Sequence, residues 1–259
     1  MRWFKITCAY DGSAYCGWQL QDGQPTIQQA IEEGITRVTG QQVRVTASGR
    51  TDAGVHAAGQ VVSCSLETDL PASEFGRALH ANTPHDIQII EIEDAVEDFH
   101  AIRDACSKRY RYLLQDGSGH DVQARHYCWQ VPYQLDIEIM QQGADLLTGT
   151  HDFAGFQTSG SPRNTTVRTI SCLSVERVDR DGCETIVFQV TADGFLYNMV
   201  RNIVGSLVEV GRSARTLAWL KQALASKDRR RAGPTGPAHG LTLMEVGYLR
   251  DVPPDPPEE

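Results

Sequence analysis

The segment Arg2-Trp3-Phe4-Lys5-Ile6-Thr7-Cys8-Ala9-Tyr10 is followed, after a loop rich in Gly, Asp and Gln, by Thr26-Ile27-Gln28-Gln29-Ala30-Ile31-Glu32-Glu33-Gly34-Ile35-Thr36-Arg37-Val38-Thr39-Gly40. Phe4, Ile6 and Cys8 alternate with Trp3, Lys5, Thr7 and Ala9, the period of a strand with one buried face. From Thr26 the period lengthens to that of a helix, with Ile27, Ala30, Ile31, Ile35 and Val38 on one side. Thr26 and Gln29 have the spacing of a capping box, and Gly40 supplies the stop.

Outward from this unit, Val43, Val45 and Ala47 predict a second strand. Residues 48–59, with three glycines, read as a loop, and 60–66 as a strand. A short helix over 73–80 and a strand over 87–93 complete the first half. The second half repeats the alternation less regularly. A strand over 105–115 has Tyr110 and Tyr112 on one face and Arg109 and Arg111 on the other. A helix over 136–148 ends at Gly149, and strands follow near 167–178 and 184–193. Helices cover about 196–210 and 214–226, and the last strand is near 241–249. Strands and helices do not alternate strictly, which argues against a parallel doubly wound sheet. The expectation is α+β with a largely antiparallel sheet.

The chain has 259 residues, enough for one large domain or two smaller ones. Such a length supports a core without disulfides or metal. Twenty-four basic against 33 acidic residues leave a net charge of −9, which excludes a uniformly basic nucleic-acid coat. Local patches are not excluded, because charge acts over about a Debye length. Residues 86–98 hold six acids and no Lys or Arg, whereas residues 201–231 hold eight basic residues and two acids. Arg103, Lys108, Arg109 and Arg111 form a second cluster, interleaved with tyrosines, a pattern that either tracks phosphates and stacks bases or is a solvated charged face.

Seven cysteines without a C-x-x-C pair argue against a disulfide framework and a zinc site, and for reduced thiols in the cytoplasm. The N-terminus lacks the apolar run of a signal peptide, and no segment approaches a membrane span. The Pro- and acid-rich residues 251–259 read as a disordered tail.

The densest chemistry is Ser48-Gly49-Arg50-Thr51-Asp52-Ala53-Gly54-Val55-His56-Ala57. Gly49 and Gly54 permit unusual backbone angles or close approach. Between them stand a cation, a hydroxyl and a carboxylate. Asp52 beside Arg50 would stay ionised, as a nucleophile or electrostatic stabiliser requires; the plain alternative is a turn closed by an Arg50–Asp52 pair. Phosphate-loop, dinucleotide, metalloprotease and nucleophile-elbow motifs are all missing. His120-Asp121 and His151-Asp152 read as loops or helix caps. Asp11, Asp52 and Asp193 would suit a two-carboxylate glycosidase only if they met in space.

Several blocks together resemble the TruA-type tRNA pseudouridine synthases. They are Tyr10-Asp11-Gly12 with Gly17-Trp18-Gln19, the Gly49–Ala57 block, Phe99-His100-Ala101, and Lys108-Arg109-Tyr110-Arg111-Tyr112. His151-Asp152-Phe153, Gly194-Phe195-Leu196, Asn198-Met199-Val200-Arg201-Asn202-Ile203-Val204-Gly205 and Gly240-Leu241 follow in family order. One departure stands out: the family continues Phe-His-Ala with Arg-Phe, and here Ile102-Arg103 follow, which on a strand would turn the basic side chain to the other face.

The resemblance implies the pseudouridine synthase fold, with two similar halves flanking an active-site cleft. Residues 1–106 would carry the catalytic loop, and 107–250 the basic helix and the base-packing Leu241. It implies isomerisation of uridine to pseudouridine in the anticodon stem-loop of tRNA, at positions 38 to 40, on a flipped-out base. Asp52 would be the nucleophile, Tyr110 would pack on the base, Arg201 would pair with the carboxylate and Leu241 would lie under the base. Arg50 would engage phosphate or orient the loop, and His56 would fix the loop. It further implies a homodimer and no redox cofactor, nucleotide or metal. The contrasting expectations are an RNA-binding protein of the same fold without catalysis and a carboxylate glycosidase without tRNA affinity.

Overall fold

The structure is a computed structural model that describes residues 1–119, 121–160, 165–180 and 182–249. His120 and the Pro- and acid-rich tail at 251–259 lie outside the described residues.

In chain order the first half comprises β1 (Arg2–Tyr10), α1 (Ile27–Thr39), β2 (Thr46–Ala47), β3 (His56–Leu66), α2 (Ala72–Ala81) and β4 (Ile87–Ala95). The second comprises β5 (Ala105–Asp116), β6 (Trp129–Val131), α3 (Ile137–Leu147), β7 (Gly149–Asp152), β8 (Val167–Arg180), β9 (Cys183–Ala192), α4 (Met199–Gly211), α5 (Leu217–Ser226) and β10 (Leu241–Tyr248). The expected α+β class with a largely antiparallel sheet is what forms. The strand order is β4-β1-β3-β10-β5-β9-β8-β7, with β2 on β3 and β6 on β5. Among the described residues, only β3–β10 and β5–β6 run parallel. The first strand of each half, β1 or β5, lies between a middle strand and the last strand of that half.

Local chemistry explains the elements. Thr26 caps α1 by accepting from the Gln29 backbone N–H, and Gly40 closes it in the left-handed conformation. The Gln29 side chain turns along the helix, its Nε2 donating to Glu33 Oε1 at 2.9 Å. The apolar stripe Ile27, Ile31 and Ile35 is fully buried in one core with Phe4, Ile6, Cys8, Phe75 and Leu79. In the second half Tyr112, Phe153, Phe156, Phe188 and Leu207 extend the same core.

Several boundaries differ from the sequence reading for physical reasons. Only Thr46–Ala47 of the expected 43–47 strand pairs, because the Val45 N–H is taken by the Glu32 carboxylate. The expected loop to Gly59 is shorter, since β3 begins at His56. Gly59 belongs to that strand because β10 passes so close that a Cβ there would sit 2.5 Å from the Met244 carbonyl oxygen. α4 begins at Met199 rather than 196, because Asn198 adopts a left-handed conformation with φ 59°. His151 and Asp152 lie in the short edge strand β7, although Asp152 also caps the following turn by accepting from Ala154 N–H. No helix among the described residues is long and apolar enough to cross a membrane.

Helix α4 is held against the 233–236 segment by backbone contact. A Cβ on Gly205 would lie 1.7 Å from the Pro234 carbonyl oxygen. Gly205→Ala therefore forces that segment outward, and the overlap outweighs the helix-propensity gain of about 1 kcal/mol. We expect a net loss of about 2 kcal/mol, seen in thermal denaturation as a fall of about 4–8 °C.

Candidate active site

The 48–55 loop connects β2 to β3 and is tied down along its length. Trp18 N–H donates to Thr51 O at 3.0 Å, and the Tyr10 hydroxyl shares a 2.9 Å hydrogen bond with Thr51 Oγ1. Ser48 Oγ donates to Gln60 Oε1, and Gln60 Nε2 donates to Gly49 O at 2.8 Å. Lys108 Nζ, on β5, donates to Ser48 O at 2.6 Å. A bulge in β3 makes this possible. Tyr10 pairs with Ala57 but Cys8 pairs with Gln60, so one extra residue turns Gln60 to the same face as Tyr10. Val55 N–H donates to Asp52 O, and within that turn Gly54 adopts φ +77°.

This frame presents Asp52 to the start of α4. Arg201 donates from one terminal nitrogen to Asp52 Oδ2 at 3.1 Å and to Asn198 Oδ1 at 2.9 Å, and from Nε to Gly236 O at 2.7 Å. The Asp52 side chain is 26% exposed and that of Arg201 17%. Two influences oppose each other on the carboxyl. Burial raises its pKa above the ordinary carboxylate value, Arg201 lowers it, and the net direction is upward. The cation beside Asp52 is thus Arg201 and not the neighbouring Arg50. Arg50 is exposed, with no side-chain hydrogen bond or ion pair among the described residues.

Tyr110 and Leu241 lie on the sheet face that carries this loop. Tyr110 is almost fully buried, edge-on to Phe195 with ring centroids 5.0 Å apart. Burial, and then the charge of Asp52, push its hydroxyl well above the usual phenol range, so it stays neutral. Leu241 opens β10 opposite Tyr112, two residues from Leu243, which faces Tyr110. The Tyr112 hydroxyl donates to Pro237 O and holds the turn that delivers Leu241. Asp52, Arg201 and Tyr110 are therefore brought together, Leu241 is set beside them on one sheet face, and Arg50 stands apart.

His56 ties three distant segments. Its Nδ1 accepts from Gly12 N–H at 3.1 Å, and its Nε2 lies 3.1 and 3.2 Å from the carbonyls of His126 and His239. Tyr127 packs against its ring at a tilt of 42° and donates to Asp11 Oδ2. Asp193 accepts from Thr169 N–H. Asp11 and Asp193 are thus engaged by partners of their own, whereas Asp52 is engaged by Arg201.

With that geometry in view, comparison with known proteins is decisive. The profile described as tRNA pseudouridine synthase matches residues 6–102 and 144–249. The chain belongs to the tRNA pseudouridine synthase family. A curated relative from Acetivibrio thermocellus, named tRNA pseudouridine synthase A, is 44% identical over 248 residues, covering 96% of this chain and all of the relative. Proteins of the same name from Geobacillus kaustophilus and Myxococcus xanthus are 44% and 41% identical over 94% and 96% of this chain, with 93% of each relative covered. Among solved structures, a Cbf5–Nop10–Gar1 complex aligns at a TM-score of 0.31 with 11% identity, over 92% of this chain and 56% of its own, too low to carry an argument.

Within this tRNA pseudouridine synthase, two parts of the sequence reading need correction. Arg103 is not on a strand. It lies in a turn, bound to Asp98 and Asp104, with Ile102 51% exposed, so the parity argument does not apply. The interleaved basic and aromatic run does not form one stacking and phosphate-tracking surface. Tyr110 and Tyr112 point to the loop face, Arg109 pairs with Glu245, and Arg111 is half-buried on the opposite face. In the 201–231 region Arg229 is likewise bound to Asn202 and Thr235, and Arg230 to Asp228. Sequence reasoning misses Gln60 altogether, and it places Tyr10 and Asn198 in the resembling blocks without giving them a role in the site. Lys108 was singled out, but not for its bond to the loop. Among the described residues no three His, Cys, Asp or Glu side chains gather as a metal site would require.

The raised Asp52 pKa has a consequence for stability. A carboxyl that binds its proton more tightly in the folded state loses stability as pH rises from the ordinary 3.8 through its folded value, and that loss persists above. Asn is neutral at every pH. Asp52→Asn should therefore melt no lower than wild type at neutral pH, with any advantage shrinking as the pH falls toward 3.8. Paired melting curves across that range check the sign.

Proposed function

We propose that this chain isomerises uridine to pseudouridine in tRNA, in the anticodon stem-loop at positions 38 to 40, with Asp52 as the nucleophile. The observation that carries the reading is the Asp52–Arg201 pair. It joins two family blocks 149 residues apart at a partly buried site next to Tyr110. In the reaction the N1–C1′ bond breaks, the uracil turns, and a C5–C1′ bond forms. The C5 proton leaves to solvent and N1 takes one up, so atoms and electrons balance without an oxidant. Asp52 forms and then releases a bond to the uridine, at C6 or C1′, and it must be ionised to do so. Arg201 holds the charged form and fixes its direction.

A uridine in a stem must leave the stack to reach a buried carboxylate. The near-buried face of Tyr110 and the apolar Leu241 suit an uncharged base. The exposed guanidinium of Arg50 suits a phosphate. Work as a homodimer in the cytoplasm fits two further observations. Many cations of one chain are already matched by its own carboxylates, so a second copy would add binding surface for a polyanion. All seven cysteines are free, as in a reducing compartment. A division near residue 106, with the halves joined through the β3–β10 pair, fits the strand order.

Because C5 becomes the attachment point, tritium at C5 of uridine is released into water with each turnover. Wild-type protein should release it from unmodified tRNA in the presence of EDTA. Asp52→Asn keeps the shape but loses the charge, so release should fall by at least about 10³-fold while tRNA affinity changes little. Release at the wild-type rate by Asp52→Asn would remove Asp52 from the mechanism.

A further inference from the structure

Asn198 sits just before α4, where an Asn ordinarily turns its side chain to cap the helix N–H groups. It does not do so here. Its backbone is left-handed, with φ 59° and ψ 10°, and its side chain makes no cap. A non-glycine residue in that conformation carries backbone strain, least for Asn and Asp. What the side chain does instead is reach sideways. Its Nδ2 donates to Thr158 Oγ1 at 3.1 Å and its Oδ1 accepts from Arg201 at 2.9 Å. That bond comes from the same guanidinium nitrogen that donates to Asp52 at 3.1 Å. A capping bond is given up, and backbone strain accepted, at a residue whose side chain helps orient the cation facing Asp52.

We propose that Asn198 is a positioning residue for the isomerisation, clamping Arg201 so that its shared nitrogen stays aimed at Asp52. This rests on Asp52 and Arg201 having the roles given above. The Asn198 amide is neutral, so it adds a second acceptor without adding a second negative charge. Its own amide group is oriented by Thr158, whose hydroxyl also lies 3.4 Å from Asn202 Nδ2. The clamp has three points: Asn198 Oδ1 and Gly236 O hold the guanidinium, and Asp52 receives what they leave. If either neutral acceptor is removed, the long Arg201 side chain gains rotamer freedom and the pair to Asp52 loosens.

The groups around this clamp are few. Tyr110 faces Asp52 from β5, and Tyr112 and His239 sit close enough to Arg201 for their charges to couple to it. Lys108 holds the loop from the Ser48 end. A carboxylate at position 198 would be a second anion on the same guanidinium nitrogen and would oppose ionisation of Asp52.

Two variants test this by single-turnover tritium release as a function of pH. Asn198→Gly keeps the left-handed backbone without strain and deletes the clamp. The turnover rate should fall about tenfold, with KM and tRNA affinity within about twofold because no substrate contact is lost. Asn198→Asp keeps the shape and adds a charge. The acid limb of its rate profile should move to higher pH by about one unit, with tRNA affinity again unchanged. A merely structural Asn198 would lower the melting temperature and leave both the acid limb and the rate of the folded enzyme in place. Wild-type rates and acid limbs in both variants, with Asp52→Asn inactive, would overturn the Asn198 assignment alone. An active Asp52→Asn would overturn the Asp52 reading and this inference with it.

Discussion

A carboxylate that is three-quarters shielded from water needs a fixed cation, and the Asp52–Arg201 pair meets that need. Burial alone would favour the protonated acid, which is a poor nucleophile; a salt bridge fully in water would be screened and loosely aimed. The site lies between these limits. Its two members come from opposite halves of the chain, one on a loop and the other in the first turn of α4. Their meeting depends on the sheet being continuous across the parallel β3–β10 seam, which is only a short register of paired residues.

The rest of the site can be understood as scaffolding for that pair. On the loop side, Tyr10, Gln60, Trp18 and Lys108 satisfy backbone and side-chain groups that would otherwise be buried without partners. On the helix side, the guanidinium is held by a backbone carbonyl from the 233–236 segment, which packs on α4 at Gly205 with no room for a side chain. His56 stitches the two sides through the carbonyls of His126 and His239 and the N–H of Gly12. Catalytic groups set by packed secondary structure move less than groups on free loops, and preorganised charge is worth most where water is excluded.

Local features were legible in the sequence because their causes are local. Thr26 and Gly40 bound α1 through their own side chain and backbone, and the alternation in β1 reports its buried face directly, whereas β5 is buried on both faces from Tyr112 onward. The G-R-T-D-A-G-V-H-A block carried the site, but its neighbours misled: Arg50 is adjacent in sequence and exposed in space, whereas the partner of Asp52 is 149 residues away. Arg201 was reached through family resemblance, since no spacing rule links it to Asp52. The bulge that turns Gln60 inward, the close approach at Gly59 and the left-handed Asn198 all depend on strands or segments distant in sequence. None of them leaves a periodic trace. Strand parity did separate Tyr110 and Tyr112 from Arg109 and Arg111, and it leaves Lys108 on the tyrosine face, where it holds the loop.

The most direct measurement is the titration of the Asp52 carboxyl itself, followed by carbon-13 NMR in the wild-type protein and in Arg201→Met. Burial and the guanidinium act in opposite directions on this group. The wild-type carboxyl should titrate above the ordinary 3.8, and removing Arg201 should move it higher still. A carboxyl that titrates at the ordinary value in both proteins would contradict the account, because Asp52 would then be neither shielded from water nor held by Arg201.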